Sequence, residues 1–319
     1  MISLFYPELA ITHAIIDVRS PAEFELGHVP NAVNMPLFSN DERAEVGTLY
    51  VQVGREAAID RGLQIVGPKL ADFVTTARAI ASGRPILVYC WRGGMRSNSV
   101  AWLLRTAGMD VKTLQRGYKG YRAVVLATLD LPWKFCVVVG PTGSGKTTLL
   151  RGKAARGEQV LDLEAIAHHK GSAFGALGES AQPSTEHAMN LIYDTLSRFD
   201  VERTVWVEDE SRTIGSVCLP DAIYNALQVA QYYEVMVPRE TRIENLVHEY
   251  GIFTAEELIA SFDRIQKKLG GERHAAAVAA VLAGDLRTAA GLALEYYDRT
   301  YQHCLQIRAT ASTKTSKTP

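Results

Sequence analysis

The segment KFCVVVGPTGSGKTTLL (134–150) constrains the fold more than any other part of the chain. A valine-rich apolar run ends at Gly140, and a helix-compatible stretch begins at about Lys146. The loop between them fits G-x-x-x-x-G-K-[ST] in the strand-to-helix setting that this pattern requires. Its glycines let successive backbone N–H groups converge on phosphate oxygens at a helix start, where the helix dipole also favours negative charge. Gly140, Thr142, Gly143, Ser144, Gly145, Lys146, Thr147 and Thr148 are therefore the expected phosphate-binding residues. Lys146 is expected to reach the terminal phosphates, and Thr147 to hold a magnesium ion. TVWVED (204–209) reads as a strand with an acidic end, which nominates Glu208 or Asp209 for the metal side. No fixed protein metal site and no tightly bound cofactor are expected. The motif announces phosphate or nucleotide binding and leaves the reaction open.

Such a loop belongs to a parallel α/β sheet, and other segments supply the partners. VLDLE (160–164) and YYEVMVP (232–238) are further strand candidates of this unit. AIIDV (14–18), ILVYC (86–90) and VKTL (111–114) read as strands of an earlier one. LADFVTTARAIA (70–81) and SNSVAWLLRTAG (97–108) carry helical apolar spacing, the second closing on Gly108 as a C-cap. From Arg239 onward the pattern is helical only. The expected division is an α/β domain over 8–130 and a P-loop α/β domain over 131–240, then a helical C-terminal region over 241–308 and a disordered polar tail over 309–319. No apolar run approaches the roughly 18–20 residues that span a bilayer. The start, MISLFYPELA, has no signal-like core. A cytoplasmic location and no membrane partner are expected.

The formal net charge of −1 conceals an asymmetry. Residues 84–156 carry 13 Lys and Arg against 2 Asp and Glu, whereas the stretches before and after them carry net charges of −4 and −8. This points to an anion-binding surface that a polyanion such as RNA would fit. Tyr118, Lys119, Tyr121 and Arg122 mix aromatic rings with cations, a composition suited to contact with single-stranded RNA, and equally to packing between domains. The same stretch contains YCWRGGMRS (89–97). Cys90 closes a buried-type strand, and Trp91, Arg92, Gly93, Gly94, Met95 and Arg96 form a tight loop before a helix starting at about Ser97. Loop amides, the helix dipole and the two arginines would each lower the thiol pKa, making Cys90 the candidate nucleophile and the loop an oxyanion site. Cys136, Cys218 and Cys304 lack such neighbours and read as structural, and the absence of a CxxC pair argues against a disulfide framework or a zinc ribbon.

IDVRSPAEFELGHVPNAVNMP (16–36) resembles the entry signature of rhodanese domains, whose sulfur-carrying cysteine lies at a strand end as Cys90 does. Asp17, Arg19 and His28 in it are read as bracing the fold. Sulfur-transferring rhodaneses usually run six residues from cysteine to closing arginine, whereas Cys90 to Arg96 is seven, as in related phosphatases and arsenate reductases. The longer loop suits a tetrahedral oxyanion. With QRGYKGYR (115–122), GPTGSGKT (140–147), LDLEAIAHHKGSAFGALG (161–178) and VWVEDESRTIG (205–215), the chain resembles the tRNA 2-selenouridine synthase family over about residues 12–240. The resemblance implies a rhodanese-like parallel-sheet domain joined to a P-loop NTPase-like domain. It also implies a tRNA partner carrying 2-thiouridine at the wobble position, S-geranylation by geranyl diphosphate, and replacement of sulfur by selenium from selenophosphate. Cys90 would carry selenium as a persulfide analogue, and a selenophosphate-producing enzyme is an implied partner. The P-loop would hold the prenyl diphosphate, a nucleotide or a tRNA phosphate, and the motif suits all three. Asp162, Glu164 and the segment from His168 to Gly175 would lie near that loop, with His168 and His169 solvated or on phosphate rather than on zinc. The competing expectations are a cysteine phosphatase or arsenate reductase with a nucleotide-binding domain, a sulfurtransferase, and a non-catalytic RNA-binding scaffold.

Overall fold

The computed structural model describes the backbone of residues 7–315, with the side chains of residue 9 and residues 11–302. The chain divides into two compact units, one of residues 1–130 with 186–198, the other of residues 131–185 with 199–319.

The first unit begins with α1 (Pro7–Thr12), β1 (Ala14–Asp17), α2 (Pro21–Leu26) and β2 (Val33–Asn34). It continues through α3 (Asn40–Gln52), α4 (Arg55–Val66), α5 (Leu70–Ala81), β3 (Ile86–Tyr89), α6 (Met95–Thr106), β4 (Val111–Thr113) and α7 (Gly117–Leu129). Its four strands run parallel in the order β2-β1-β3-β4. Every residue of β1 and β3 is buried, as expected of central strands covered on both faces. α5 occupies the expected span and turns Phe73, Ala77 and Ala81 onto the sheet at intervals of one helical turn. α6 starts two residues ahead of Ser97, directly after Gly94.

Asp17 and Arg19 brace this unit. Their side chains are 0% and 1% exposed and meet at 2.6 Å, and Arg19 also donates to the Gly27 carbonyl and lies 3.9 Å over the Tyr118 ring. His28 is stacked between Phe24 and His187. His187 belongs to the helix Thr185–Leu196, which sequence reading placed in the P-loop domain. Its residues from Glu186 onward instead belong to the first unit, because Asn190 donates to the His28 carbonyl and the Tyr118 hydroxyl from a fully buried position.

The second unit contains β5 (Lys134–Val139), α8 (Lys146–Ala155), β6 (Gln159–Leu161) and α9 (Leu163–Ala167). After the excursion through α10 (Thr185–Leu196) it resumes with β7 (Thr204–Glu208), a short antiparallel pair β8 (Thr213–Ile214) and β9 (Val217–Cys218), α11 (Asp221–Val229) and β10 (Gln231–Glu234). The main sheet is parallel with the order β10-β5-β7-β6, so β5 is central. The strand expected over 160–164 stops at Leu161, because the Asp162 side chain accepts from the Ala165 amide and starts α9, which takes Leu163 and Glu164 into a helix.

Four helices complete this unit: α12 (Arg239–Tyr250), α13 (Ala255–Leu269), α14 (Gly271–Leu282) and α15 (Leu286–Thr315). α13 opens with a Thr254–Glu257 capping box and buries Leu258, Phe262, Ile265 and Leu269 along one stripe. Phe174 and Leu177 join that core from the segment after α9. α15 runs past Ala309, so the first residues of the expected disordered tail are helical in backbone, and the rest of that tail lies outside the described residues. Among the described residues no helix is long and apolar enough to cross a membrane.

Removing one partner of a buried ion pair strands the other charge, at a cost of about 3–5 kcal/mol. Asp17→Ala should therefore destabilise the first unit by about that amount. Hydrogen exchange of the β1 and β3 amides reads this directly.

Candidate active sites of the two units

In the first unit, β3 delivers Cys90 to the carboxyl end of the sheet and α6 begins five residues later. The Cys90 and Trp91 carbonyls accept the Tyr118 and Lys119 amides, each at 2.9 Å, which ties both ends of the turn to the start of α7. That contact demands glycine at 117. Its φ is +55°, and a Cβ there would collide with the Cys90 carbonyl oxygen. With the carbonyls turned outward, the N–H groups of Trp91, Arg92, Gly93 and Gly94 donate to no protein acceptor among the described residues. Those of Met95 and Arg96 occupy the first turn of α6, where helix geometry leaves donors unpaired. The loop thus has the donor set of an oxyanion cradle.

Cys90 is 3% exposed, and its Sγ lies 3.2 Å from Ser97 Oγ, which itself lies 3.2 Å from the Gly94 carbonyl. Ser97, read from the sequence only as a helix start, is thus the residue that touches the sulfur. The expected help from both arginines needs correction. Arg92 is exposed, and Arg96 is committed to Glu23 through contacts of 2.7 and 3.3 Å. Burial pushes the Glu23 carboxyl up, but the Arg96 guanidinium and the Ser20 amide outweigh it and hold it below the usual carboxylate range. Arg96 therefore fastens α6 to α2.

Tyr118 and Tyr121 do not form an RNA-stacking surface. They are 0% and 2% exposed, because with Val125 and Leu129 they form the buried stripe of α7. Tyr118 hydrogen-bonds Glu186 at 2.8 Å, and Arg122 hydrogen-bonds Asn190 at 2.6 Å. Lys119 is exposed, as are Arg92 and Arg116, and none of the three forms an ion pair among the described residues. Trp91, 36% exposed, lies in the same loop.

In the second unit, Gly143 and Gly145 take φ values of +79° and +83°, and α8 starts at Lys146. Lys146 Nζ donates to the Gly140 carbonyl at 3.1 Å and lies 3.4 Å from Glu208. Thr147 Oγ1 donates to Glu208 Oε2 at 3.0 Å. β7 ends at Glu208, which takes the acidic position opposite Thr147, whereas Asp209 uses its amide to bond the Val138 carbonyl. Ser144 is buried and its hydroxyl has no protein partner among the described residues. Thr148 is exposed on the first turn of α8.

Two supports of this loop come from α12, about a hundred residues away. Arg242 Nε donates to the Thr142 carbonyl at 2.8 Å, and Asn245 donates to the Gly143 carbonyl, also at 2.8 Å. Arg242 is 6% exposed, and its guanidinium is held in turn by Asp298. The acidic side extends beyond Glu208. Oxygens of Glu164, Glu208 and Glu210 lie within 4.8 Å of one another. Burial, then the charges of Glu208 and Glu210, push Glu164 up to about 9. Burial and Glu208 push Glu210 up to about 7. Three crowded carboxylates beside Thr147 are a hard oxygen donor set that suits magnesium. His168 and His169 hold the loop after α9 through the Ala181 carbonyl, Ser180 and the Gly171 amide. Cys136 and Cys218 are free thiols, and the Cys304 side chain lies outside the described residues.

The family model of the tRNA 2-selenouridine synthase AAA domain matches residues 133–318, and that of the rhodanese-like domain matches residues 7–124. A tRNA 2-selenouridine synthase of Nitrosomonas europaea is 39% identical over 75% of this chain and 64% of its own length. Those of Bordetella bronchiseptica and Pseudomonas syringae pv. syringae are 36% and 34% identical, each over 92% of this chain and 89% of their own. The cysteine loop and the phosphate loop of this chain each lie on their own parallel sheet and inside a matched region, and with these identities over most of its length the chain belongs to the tRNA 2-selenouridine synthase family.

Proposed function

We propose that the chain is an enzyme that converts 2-thiouridine at the wobble position of tRNA into 2-selenouridine, with the two loops serving two successive exchanges. The observation that carries this reading is a buried cysteine in a seven-residue, amide-lined loop together with a phosphate loop, on a chain of this family.

In the first exchange the thiouridine sulfur attacks C1 of geranyl diphosphate, the C1–O bond breaks, and diphosphate leaves. Lys146 and the amides of Gly143 and of residues 145–147 oppose the charge that develops on the leaving group. Thr147, Glu208, Glu164 and Glu210 are the residues that would hold magnesium, which supplies further charge neutralisation there. Alkylation turns the sulfur into a better leaving group.

In the second exchange the oxidation level of selenium matters. Selenophosphate already carries selenium as selenide, so storing it on Cys90 as a persulfide analogue would require a two-electron oxidant. Attack of the Cys90 thiolate on phosphorus requires none. The S–P bond forms, the P–Se bond breaks, and hydrogen selenide leaves. Hydrogen selenide then adds at C2 of the base, expels geranyl thiolate, and water clears the phosphocysteine. The Ser97 hydroxyl supports the thiolate, and the amides of residues 91–96 receive the phosphoryl oxygens. Exposed Arg92, Arg116 and Lys119 replace the buried tyrosines as the contacts for tRNA phosphates. A separate selenophosphate-producing enzyme supplies the donor.

Nucleoside mass spectrometry of a 2-thiouridine tRNA tests this reading. With geranyl diphosphate alone the wild type should add a geranyl group, and with selenophosphate it should then replace sulfur by selenium. Cys90→Ala should keep geranylation within about twofold and lose at least a thousandfold of selenium exchange, the usual scale of deleting a nucleophile. Unchanged nucleosides from folded wild-type protein would refute the reading.

The glutamate cluster makes a separate prediction about pH. Glu164 and Glu210 bind protons more tightly when folded than when unfolded, so their contribution is present below about pH 4.5 and is lost as pH rises towards about 7 and about 9. Glu164→Gln should therefore raise the Tm of the metal-free protein more at pH 8 than at pH 5. Equal shifts at both pH values would show that the cluster is not proton-loaded.

A further inference from the structure

The second unit has an open cavity whose free space of about 550 Å³ includes the solvent at its mouth. At one place its wall is Thr142 of the phosphate loop, and the rest is built by α12 to α15 and the segment after α9. Leu246, Val247, Leu258, Phe262, Val281 and Ala290 give it an apolar lining. Its few other polar groups are already engaged: the Tyr250 and Tyr297 hydroxyls meet Ser172, and Tyr297 also accepts the Ala173 amide. Apart from Thr142, such a lining has no polar group left to meet a nucleobase or a ribose, and it suits hydrocarbon.

Two contacts make the cavity continuous with the phosphate loop. Arg242, one turn before Leu246 on α12, holds the Thr142 carbonyl. Leu246 itself stands so close to Gly143 that a Cβ there would lie 3.2 Å from its Cγ. A diphosphate on the loop would therefore have an apolar room beside it. From this continuity we infer that the cavity is the binding site for the alkyl chain of a prenyl diphosphate whose head group sits on the phosphate loop. The inference rests on the geranyl-transfer reading above and adds where the chain lies.

Titration calorimetry with inorganic pyrophosphate, dimethylallyl diphosphate, geranyl diphosphate and farnesyl diphosphate tests it on the full chain. Each methylene buried in an apolar site strengthens binding by roughly fourfold at full burial. Wild type should bind geranyl diphosphate at least tenfold more tightly than dimethylallyl diphosphate, and dimethylallyl diphosphate more tightly than pyrophosphate. Ala290→Leu, which fills the cavity, should cut the geranyl gain at least tenfold while pyrophosphate, which reports an intact loop, binds within about twofold of wild type. Val281→Ala, which widens it, should raise the affinity for farnesyl relative to geranyl diphosphate. If both variants keep the wild-type order and spacing of affinities, the chain lies elsewhere and the inference falls while geranyl transfer stands. If wild type binds geranyl diphosphate no better than pyrophosphate, the prenyl donor and the inference fall together.

Discussion

A loop that holds phosphate must aim several N–H groups at one point, so its carbonyl groups must be bound elsewhere. In this chain one helix, α12, binds two of those carbonyls. Arg242 takes the carbonyl of Thr142 and Asn245 that of Gly143, while Asp298 on α15 holds the Arg242 guanidinium. Gly143 fits only because it has no side chain, since a Cβ would lie 2.9 Å from the Arg242 carbonyl oxygen. The helical C-terminal region is therefore part of the phosphate site, and the cavity it encloses opens against the same loop.

The cysteine loop meets the same requirement by a different route. Its carbonyls at Cys90 and Trp91 are bound by the first amides of α7, and Gly117 lets the two backbones touch. Below that contact, the buried Asp17–Arg19 pair and Tyr118 fix where α7 begins. In each unit a strand end, a turn and a helix start form the site, and a second helix sets the turn's orientation.

What the sequence reveals follows from range. The β5–loop–α8 unit, Cys90 at a strand end and the span of α5 are local patterns, and each is found where its residues predict it. The supports from Arg242 and Asn245 depend on contacts across about a hundred residues, and no local spacing marks them. Glu210 is similarly hidden, since three consecutive acidic residues follow Val207 and only the fold decides which face the loop. Of the two readings that Tyr118 and Tyr121 allow, packing is the one that helical spacing favours. Tyr118, Tyr121, Val125 and Leu129 recur at helical intervals, a stronger sign of a buried stripe than the neighbouring cations are of an RNA surface. The transfer of residues 186–198 to the first unit has no sequence marker, because it rests on Asn190 and His187 meeting a loop about 160 residues earlier.

In the proposed division of labour the phosphate loop serves alkylation and Cys90 serves selenium exchange. Supplying tRNA that already carries S-geranyl-2-thiouridine, together with selenophosphate, bypasses the first exchange. Under those conditions Lys146→Ala should form 2-selenouridine at close to the wild-type rate, and Cys90→Ala should form none. If Lys146→Ala fails on the geranylated tRNA while remaining folded and able to bind it, the phosphate loop takes part in selenium exchange and the division proposed here is wrong.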